Sequence, residues 1–398
     1  MKNTFAFLII VFFIGCQKET LLELPLDEQT SPENTSLIVS ELPLTSFSGL
    51  LLKFFTSTIS NIDEKYTFKD VSAIKIIYRT QNYKNEPVEA SGVLLVPDYT
   101  NEMPVVSLQH GTLSDDNDAP SNSELGLNEL TLAAIMASTG MLMAVPDYIG
   151  YGNTNDQMHP YEHRDNLAQA SYDFILAVNE YLETAEITTN EKLFLTGYSE
   201  GGYATMALHQ LIEKENALTV THAFPGAGAY NKTAFTKEIL TKDEELPFMT
   251  SYIWVLNVYN SMFENLKRPW SSFLNEPYAS NLENLERFNS PVDINLISTN
   301  PKVLFNEQFI EGIINNSDTE FLNVLAENDV FDWLPKAPIT LFHGTADDYV
   351  YPLNSITAKE SIENNGGTIM YEQLEGLNHS QAAIPFYIKV LELIDTIK

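Results

Sequence analysis

The sequence predicts an α/β fold of the doubly wound type, a mostly parallel sheet covered by helices on both faces. Three observations carry the prediction. Short β-branched and apolar runs recur from about residue 73 onward, and several are apolar throughout. Helical patterns lie between them, the clearest beginning near Asp165 with Leu167, Ser171, Phe174, Val178 and Tyr181 on one face. The chain has 398 residues, 44% of them hydrophobic and 11% aromatic, enough to bury a large core. Strands apolar on both faces need cover on both, as parallel sheets have. Ligands of such sheets sit beyond the carboxyl ends of the strands.

Lys2 precedes an apolar run from Phe5 to Gly15. That run is shorter than the ~20 residues a spanning helix needs, so residues 1–15 read as a signal peptide. Phe13-Ile14-Gly15-Cys16 resembles the lipobox of bacterial lipoproteins, with Phe13 where that family usually has Leu. The resemblance implies cleavage before Cys16, acylation of its thiol, and anchoring of the chain to a membrane of the bacterial cell envelope. Residues 16–45 set six acidic side chains, Glu19 to Glu41, against Lys18 alone, and read as an acidic tether. The domain is expected from residue 46 to 398. Its candidate strands are Ala73–Arg79, Ala90–Val96, Val105–Gln109, Met141–Val145, Lys192–Leu195, His222–Pro225, Ile339–Phe342 and Thr368–Leu374. Between the sixth and seventh of these, Tyr230 to Pro335 is longer than a strand-helix crossover requires and is expected to form a largely helical cap. It contains Trp254, Trp270 and Trp333, and its best helix places Tyr252, Leu256, Tyr259, Phe263 and Leu266 at three- and four-residue intervals.

Charge and cysteine content exclude several classes of function. With 22 Lys+Arg against 54 Asp+Glu, the net charge of −32 is repelled by phosphate backbones and anionic lipid, so no nucleic acid is expected and membrane contact only through the anchor. Cys16 is the single cysteine, which leaves no intrachain disulfide or thiolate zinc site. Asp115-Asp116-Asn117-Asp118 reads as a solvated loop, since the Gly and downstream Glu of a calcium loop are missing.

The sharpest local signal is Leu193-Phe194-Leu195-Thr196 running into Gly197-Tyr198-Ser199-Glu200-Gly201-Gly202 and then a helix from Tyr203 to Glu213. A G-x-S-x-G turn between strand and helix lifts the Ser199 hydroxyl above the sheet, where it can act as a nucleophile. A serine hydroxyl attacks poorly unless a base takes its proton and a third group orients that base. Of seven histidines, His379 follows the turn after the last strand, and Asp347 follows the strand before it in His343-Gly344-Thr345-Ala346-Asp347. The order Ser199, Asp347, His379 and the pattern of His343, Gly344, Asp347 and Val350 resemble the α/β-hydrolase family, over roughly residues 70 to 398. Asp348 is the rival acid. The resemblance implies an oxyanion loop at His110-Gly111-Thr112, with main-chain N–H groups of Thr112 and Glu200 as donors. His110, Gly111 and Asp147 would then support that loop. Gln109-His110-Gly111-Thr112, Pro146-Asp147-Tyr148-Ile149-Gly150-Tyr151-Gly152 and His159-Pro160-Tyr161 are similar to secretory lipases and related secreted esterases.

The expected activity is therefore hydrolysis of small carboxylic esters by a serine mechanism, with no metal, no organic cofactor and no obligate protein partner. A serine peptidase or an acyltransferase would use the same residues. A reading of another class, a catalytically silent binding lipoprotein, stays open as well.

Overall fold

Nine strands form one sheet in the computed structural model, which describes residues 36–59, 64–124, 126, 128–283 and 290–398. In chain order they are β1 Ile38–Phe47, β2 Val71–Gln81, β3 Pro87–Pro97, β4 Met103–Gln109, β5 Leu142–Pro146, β6 Thr189–Tyr198, β7 His222–Gly226, β8 Ile339–Gly344 and β9 Ile369–Leu374. Their spatial order is β1-β2-β3-β5-β4-β6-β7-β8-β9. The six strands from β5 to β9 along that order run parallel, and β1, β2 and β3 add to one side by antiparallel pairing. β4 and β5 are buried along their whole length, as strands covered on both faces must be.

Helices α1 Gly49–Ile59 and α2 Glu129–Ser138 cover one face of the sheet, together with α12 His379–Ile397. The other face is covered by α3 Arg164–Thr184, α4 Glu200–Glu215 and α11 Leu353–Asn364. Leu167, Phe174 and Val178 of α3 are fully buried, the face the 3.6-residue spacing selects.

The leader at residues 1–15, Cys16 and most of the tether lie outside the described residues. The tether's expected end at residue 45 is corrected: residues 38–47 are β1, paired with β2 from Ile38↔Tyr78 to Phe47↔Val71. Composition misses this strand because main-chain hydrogen bonds hold it, while Leu42 and Leu44 stay exposed. A register shift directly follows Pro43, which cannot donate to a ladder. Just before β1, Glu180 of α3 accepts from the Ser36 hydroxyl and the Leu37 N–H.

Helices α5 Lys232–Thr241, α6 Met249–Met262, α7 Tyr278–Glu283, α8 Pro301–Leu304, α9 Glu307–Ile314 and α10 Thr319–Glu327 form the insertion between β7 and β8. They enclose a separate core built on Trp254, Tyr259, Phe273, Phe309 and Phe321. Its two ends are tied by the Val330 N–H donating to the Tyr230 carbonyl at 2.9 Å. The insertion therefore ends near Asp329 rather than Pro335, and Trp333 packs with the sheet, edge-on to His209 at 5.0 Å. α6 also stops short of expectation. Asn260 binds the N–H and carbonyl of Arg268 through its side chain, so the chain folds back and Phe263 caps the helix in an extended conformation. At the base of the insertion the buried Lys232 ammonium pairs with Glu162 and lies 3.8 Å over the Tyr203 ring.

Candidate active site

β6 ends at Tyr198 and α4 begins at Glu200, so the single residue Ser199 makes the whole turn. Its backbone sits at φ 60° and ψ −123°, a conformation L residues avoid. The turn closes because Gly201 lies under the end of β4. A Cβ there would come within 2.0 Å of the Gln109 carbonyl oxygen. The Ser199 N–H donates to the Gly226 carbonyl of β7 at 2.9 Å, and the hydroxyl stands at the positive end of α4.

The structure brings Ser199, His379 and Asp347 together from three separate crossovers. His379 Nε2 lies 2.8 Å from Ser199 Oγ, and His379 Nδ1 lies 2.7 Å from Asp347 Oδ2. His379 opens α12, whose start is fixed by an Asn378–Gln381 capping box. Tyr198 clamps the same residue by donating its hydroxyl to the His379 carbonyl at 2.7 Å. Asp347 Oδ1 accepts from the N–H groups of Tyr349 and Val350, both at 2.9 Å. Its Oδ2 also lies 3.2 Å from His343 Nε2, which in turn meets the Val350 carbonyl. Burial opposes ionisation of Asp347, yet hydrogen bonds from His343 and His379 outweigh it and hold the carboxyl at about 2. Asp348, the rival acid, is exposed. Hydroxyl, neutral imidazole and carboxylate in this line can pass a proton from oxygen to nitrogen while the carboxylate fixes the imidazole tautomer.

The loop after β4 faces this relay. His110 is buried against the Tyr148 ring at 4.0 Å, with Nδ1 at 2.7 Å from the Gly111 carbonyl and Nε2 at 3.1 Å from the Asp147 carbonyl. Asp147 thus holds the loop through its main chain. Its carboxylate is engaged elsewhere, by the Ser91 hydroxyl and the Ser121 N–H. Among the described residues no acceptor meets the Thr112 N–H, and the Glu200 N–H opens α4, where a helix supplies no partner of its own. The Glu200 side chain turns away and accepts from His159 at 2.7 Å, both groups fully buried. In the loop beyond, Asp116 accepts from the Gly152 N–H and from the amides of Asn122 and Asn155, so protein donors surround it.

Sequence reasoning missed Glu129. This carboxylate, at the first residue of α2, accepts from the Gly111 N–H at 2.6 Å and from the Tyr387 hydroxyl of α12. One half-buried side chain therefore ties the loop after β4 to the helix that begins with His379. Burial pushes its pKa up, opposed by the Tyr387 bond. The available signal was only an acid in a first helical turn, which ordinarily reads as a dipole contact with solvent.

The insertion packs against the loop that carries the acid. Tyr349 lies 4.9 Å from the His379 ring, stacks on Phe248 at 3.8 Å and shares a hydrogen bond with Ser251 of α6. Trp254 of α6 stacks on Tyr161 at 4.1 Å, whose hydroxyl meets Thr112 Oγ1 at 2.9 Å.

A protein-family model described as secretory lipase matches residues 119–384, a span that includes Ser199, Asp347 and His379. The chain belongs to the secretory lipase family. With that membership it is a carboxylic-ester hydrolase. Among solved structures it is similar to a putative hydrolase from Legionella pneumophila at 23% identity and TM-score 0.81, covering 91% of this chain and 98% of that one. It is also similar to the rice cell wall degrading esterase LipA from Xanthomonas oryzae, at 22% identity and TM-score 0.76 over 91% and 97% of the two chains. Candida antarctica lipase A follows at 17% identity and TM-score 0.63, over 86% and 77%. At these identities the likeness concerns the fold, the α/β-hydrolase fold with a helical insertion. Among curated proteins no relative matches the sequence.

Proposed function

We propose that this family member cleaves carboxylic esters through an acyl-enzyme on Ser199, with His379 as general base and Asp347 as the group that orients it. The observation that carries the reading is the unbroken line from Ser199 Oγ to His379 Nε2 at 2.8 Å and from Nδ1 to Asp347 Oδ2 at 2.7 Å. With Nδ1–H donated to Asp347, the Nε2 lone pair accepts the serine proton as Oγ attacks the ester carbonyl carbon. The carbonyl oxygen becomes an oxyanion, and the N–H groups of Thr112 and Glu200 donate to it. Each such donor is worth roughly 3 kcal/mol of barrier in comparable sites. Collapse breaks the carbon–oxygen bond to the alcohol, which leaves with the proton from Nε2. Water then attacks the acyl-enzyme, gives its proton to the same nitrogen, and releases the acid and the free hydroxyl.

The family's secretory character and the leader together support an exported protein, and Cys16 supplies the residue an acyl anchor would occupy. Labelling with a fluorophosphonate probe tests the mechanism. Wild-type protein reacts and Ser199→Ala does not; labelling retained in that variant removes Ser199 from the role. Turnover of p-nitrophenyl esters of graded acyl length then defines the acyl preference. Metabolic labelling with palmitate tests the anchor, which Cys16→Ser abolishes if Cys16 is the acylated residue.

A further inference from the structure

Away from Ser199, a cleft of about 530 Å³ opens on the flank of the domain between the β2–β3 turn, the first turns of α3 and the second half of α4. Gln210 of α4 lies eleven residues beyond Ser199, so helical rise puts this part of the cleft roughly 17 Å from the nucleophile. Its lining is dominated by amide side chains.

Three of those amides share one habit, whereas the Asn82 oxygen is taken by the N–H groups of Lys84 and Glu86. Asn166 gives its NH₂ to the Gln81 carbonyl, Gln169 gives its own to Asp173 and Gln210 gives its own to the Val330 carbonyl. Their carbonyl oxygens receive no donor from any described residue. Asn166 is only 4% exposed, and its Oδ1 is a buried acceptor without a partner. A buried, unpaired acceptor is costly, and a ligand hydroxyl meets that need. The wall thus presents fixed acceptors to a ligand rich in O–H donors. Tyr83 adds a half-buried aromatic ring at one side. Charge balances within the lining. Arg164 is bonded to Asp165 at 2.7 Å, Lys214 is offset by Glu215, and burial holds His163 near 4 and hence neutral at pH 7. In a chain of net charge −32, a charge-balanced cleft suits an uncharged ligand and repels an acidic one.

We propose that this cleft is a second, non-catalytic site that binds a neutral oligosaccharide chain, its hydroxyls donating to the amide oxygens and one sugar ring packing on Tyr83. The site is separate from the ester-cleaving relay and holds whether or not Ser199 is the nucleophile. A small ester cannot span the distance between the two, so the cleft acts on polymeric or glycan-linked material.

Native gels containing soluble xylan, galactomannan or hydroxyethylcellulose test this directly, with the protein carrying Ser199→Ala so that no turnover intervenes. Migration is expected to slow in at least one neutral polysaccharide and to remain unchanged in polygalacturonate. Tyr83→Ala, and separately Gln169→Ala with Gln210→Ala, should weaken binding at least tenfold. With Ser199 restored, the same variants should hydrolyse p-nitrophenyl acetate within twofold of wild type, which also reports that they fold. Absence of retardation in all three neutral polysaccharides overturns the proposal. So does retardation that the cleft variants leave intact, or retardation in polygalacturonate alone.

Discussion

Asp347→Asn separates geometry from charge in the relay. The substitution keeps Oδ1, so the N–H groups of Tyr349 and Val350 still have their acceptor and the turn after β8 keeps its shape. What changes is the atom at Oδ2, which now accepts from His379 Nδ1 at 2.7 Å and lies 3.2 Å from His343 Nε2. An amide NH₂ there donates, so His379 must present a bare Nδ1 and carry its proton on Nε2, facing Ser199. In that tautomer the imidazole cannot accept the serine proton, and the imidazolium of the transition state loses its counter-charge. The expected loss in kcat is 10³- to 10⁴-fold, equivalent to about 4–5.5 kcal/mol, with KM nearly unchanged. Stability moves with it. A folded-state value of about 2 against the ordinary aspartate value of 3.8 is worth about 2.5 kcal/mol. Because the folded value lies below the unfolded one, that contribution is complete above pH 4 and disappears as pH falls toward 2. Steady-state turnover of p-nitrophenyl acetate at pH 7, with urea unfolding at pH 7, 4 and 2.5, measures both. An Asp347→Asn enzyme within tenfold of wild type, or an Asp348→Asn enzyme crippled while Asp347→Asn stays active, would refute the argument.

Ser199→Gly and Ser199→Ala remove the same hydroxyl, but only glycine relieves the backbone at φ 60° and ψ −123°. Relief of about 1–3 kcal/mol, less about 0.5–1 for the freer unfolded chain, makes the Gly variant the more stable by about 1 kcal/mol, and urea midpoints at equal slope decide it. Glu129→Ala leaves the part-buried Gly111 N–H without its acceptor and frees the loop from α12, so kcat should fall tenfold or more, Glu129→Gln should recover most of it, and a change confined to KM would contradict that positioning role. Burial raises Asp329 to about 6 despite its bonds from Thr233, so the contribution of this group to stability is full below pH 4 and is lost, by about 3 kcal/mol, as pH rises through 6. Asp329→Asn should flatten that slope in urea titrations. Gly201→Ala drives a Cβ to within 2.0 Å of the Gln109 carbonyl oxygen and should destabilise by several kcal/mol with loss of turnover; a wild-type melting profile would disprove the close packing of β4 on the turn.

Legibility in the sequence followed how local the cause was. Strands such as β4 and β5 were readable because complete burial demands apolar residues at every position, and Gly197 and Gly201 announced a turn that no other residue permits. The order of Ser199, Asp347 and His379 was readable because each follows the end of a strand, apolar in β6 and β8 and mixed in β9. β1 was not, since its cohesion comes from main-chain pairing with β2 and leaves no apolar period. The long reading of α6 followed a period that continues through Phe263 and Leu266, and only the Asn260–Arg268 contact breaks it. Glu129 was hidden for a related reason. Its partners Gly111 and Tyr387 are 18 and 258 residues away, and only the fold makes them neighbours.

The outer edge of the sheet at β1 bears on how copies of the chain behave when crowded. Among the described residues no strand pairs with β1 on its outer side, and such an edge invites a second chain to add its own strand, with exposed Leu42 and Leu44 favouring the joining. Pro43 stands between those two leucines with a register shift directly after it, and Glu41 brings a charge beside them. An incoming strand therefore meets a missing donor, a bend and repulsion from its own Glu41. At high concentration these features disfavour a continuous ribbon of chains joined edge to edge.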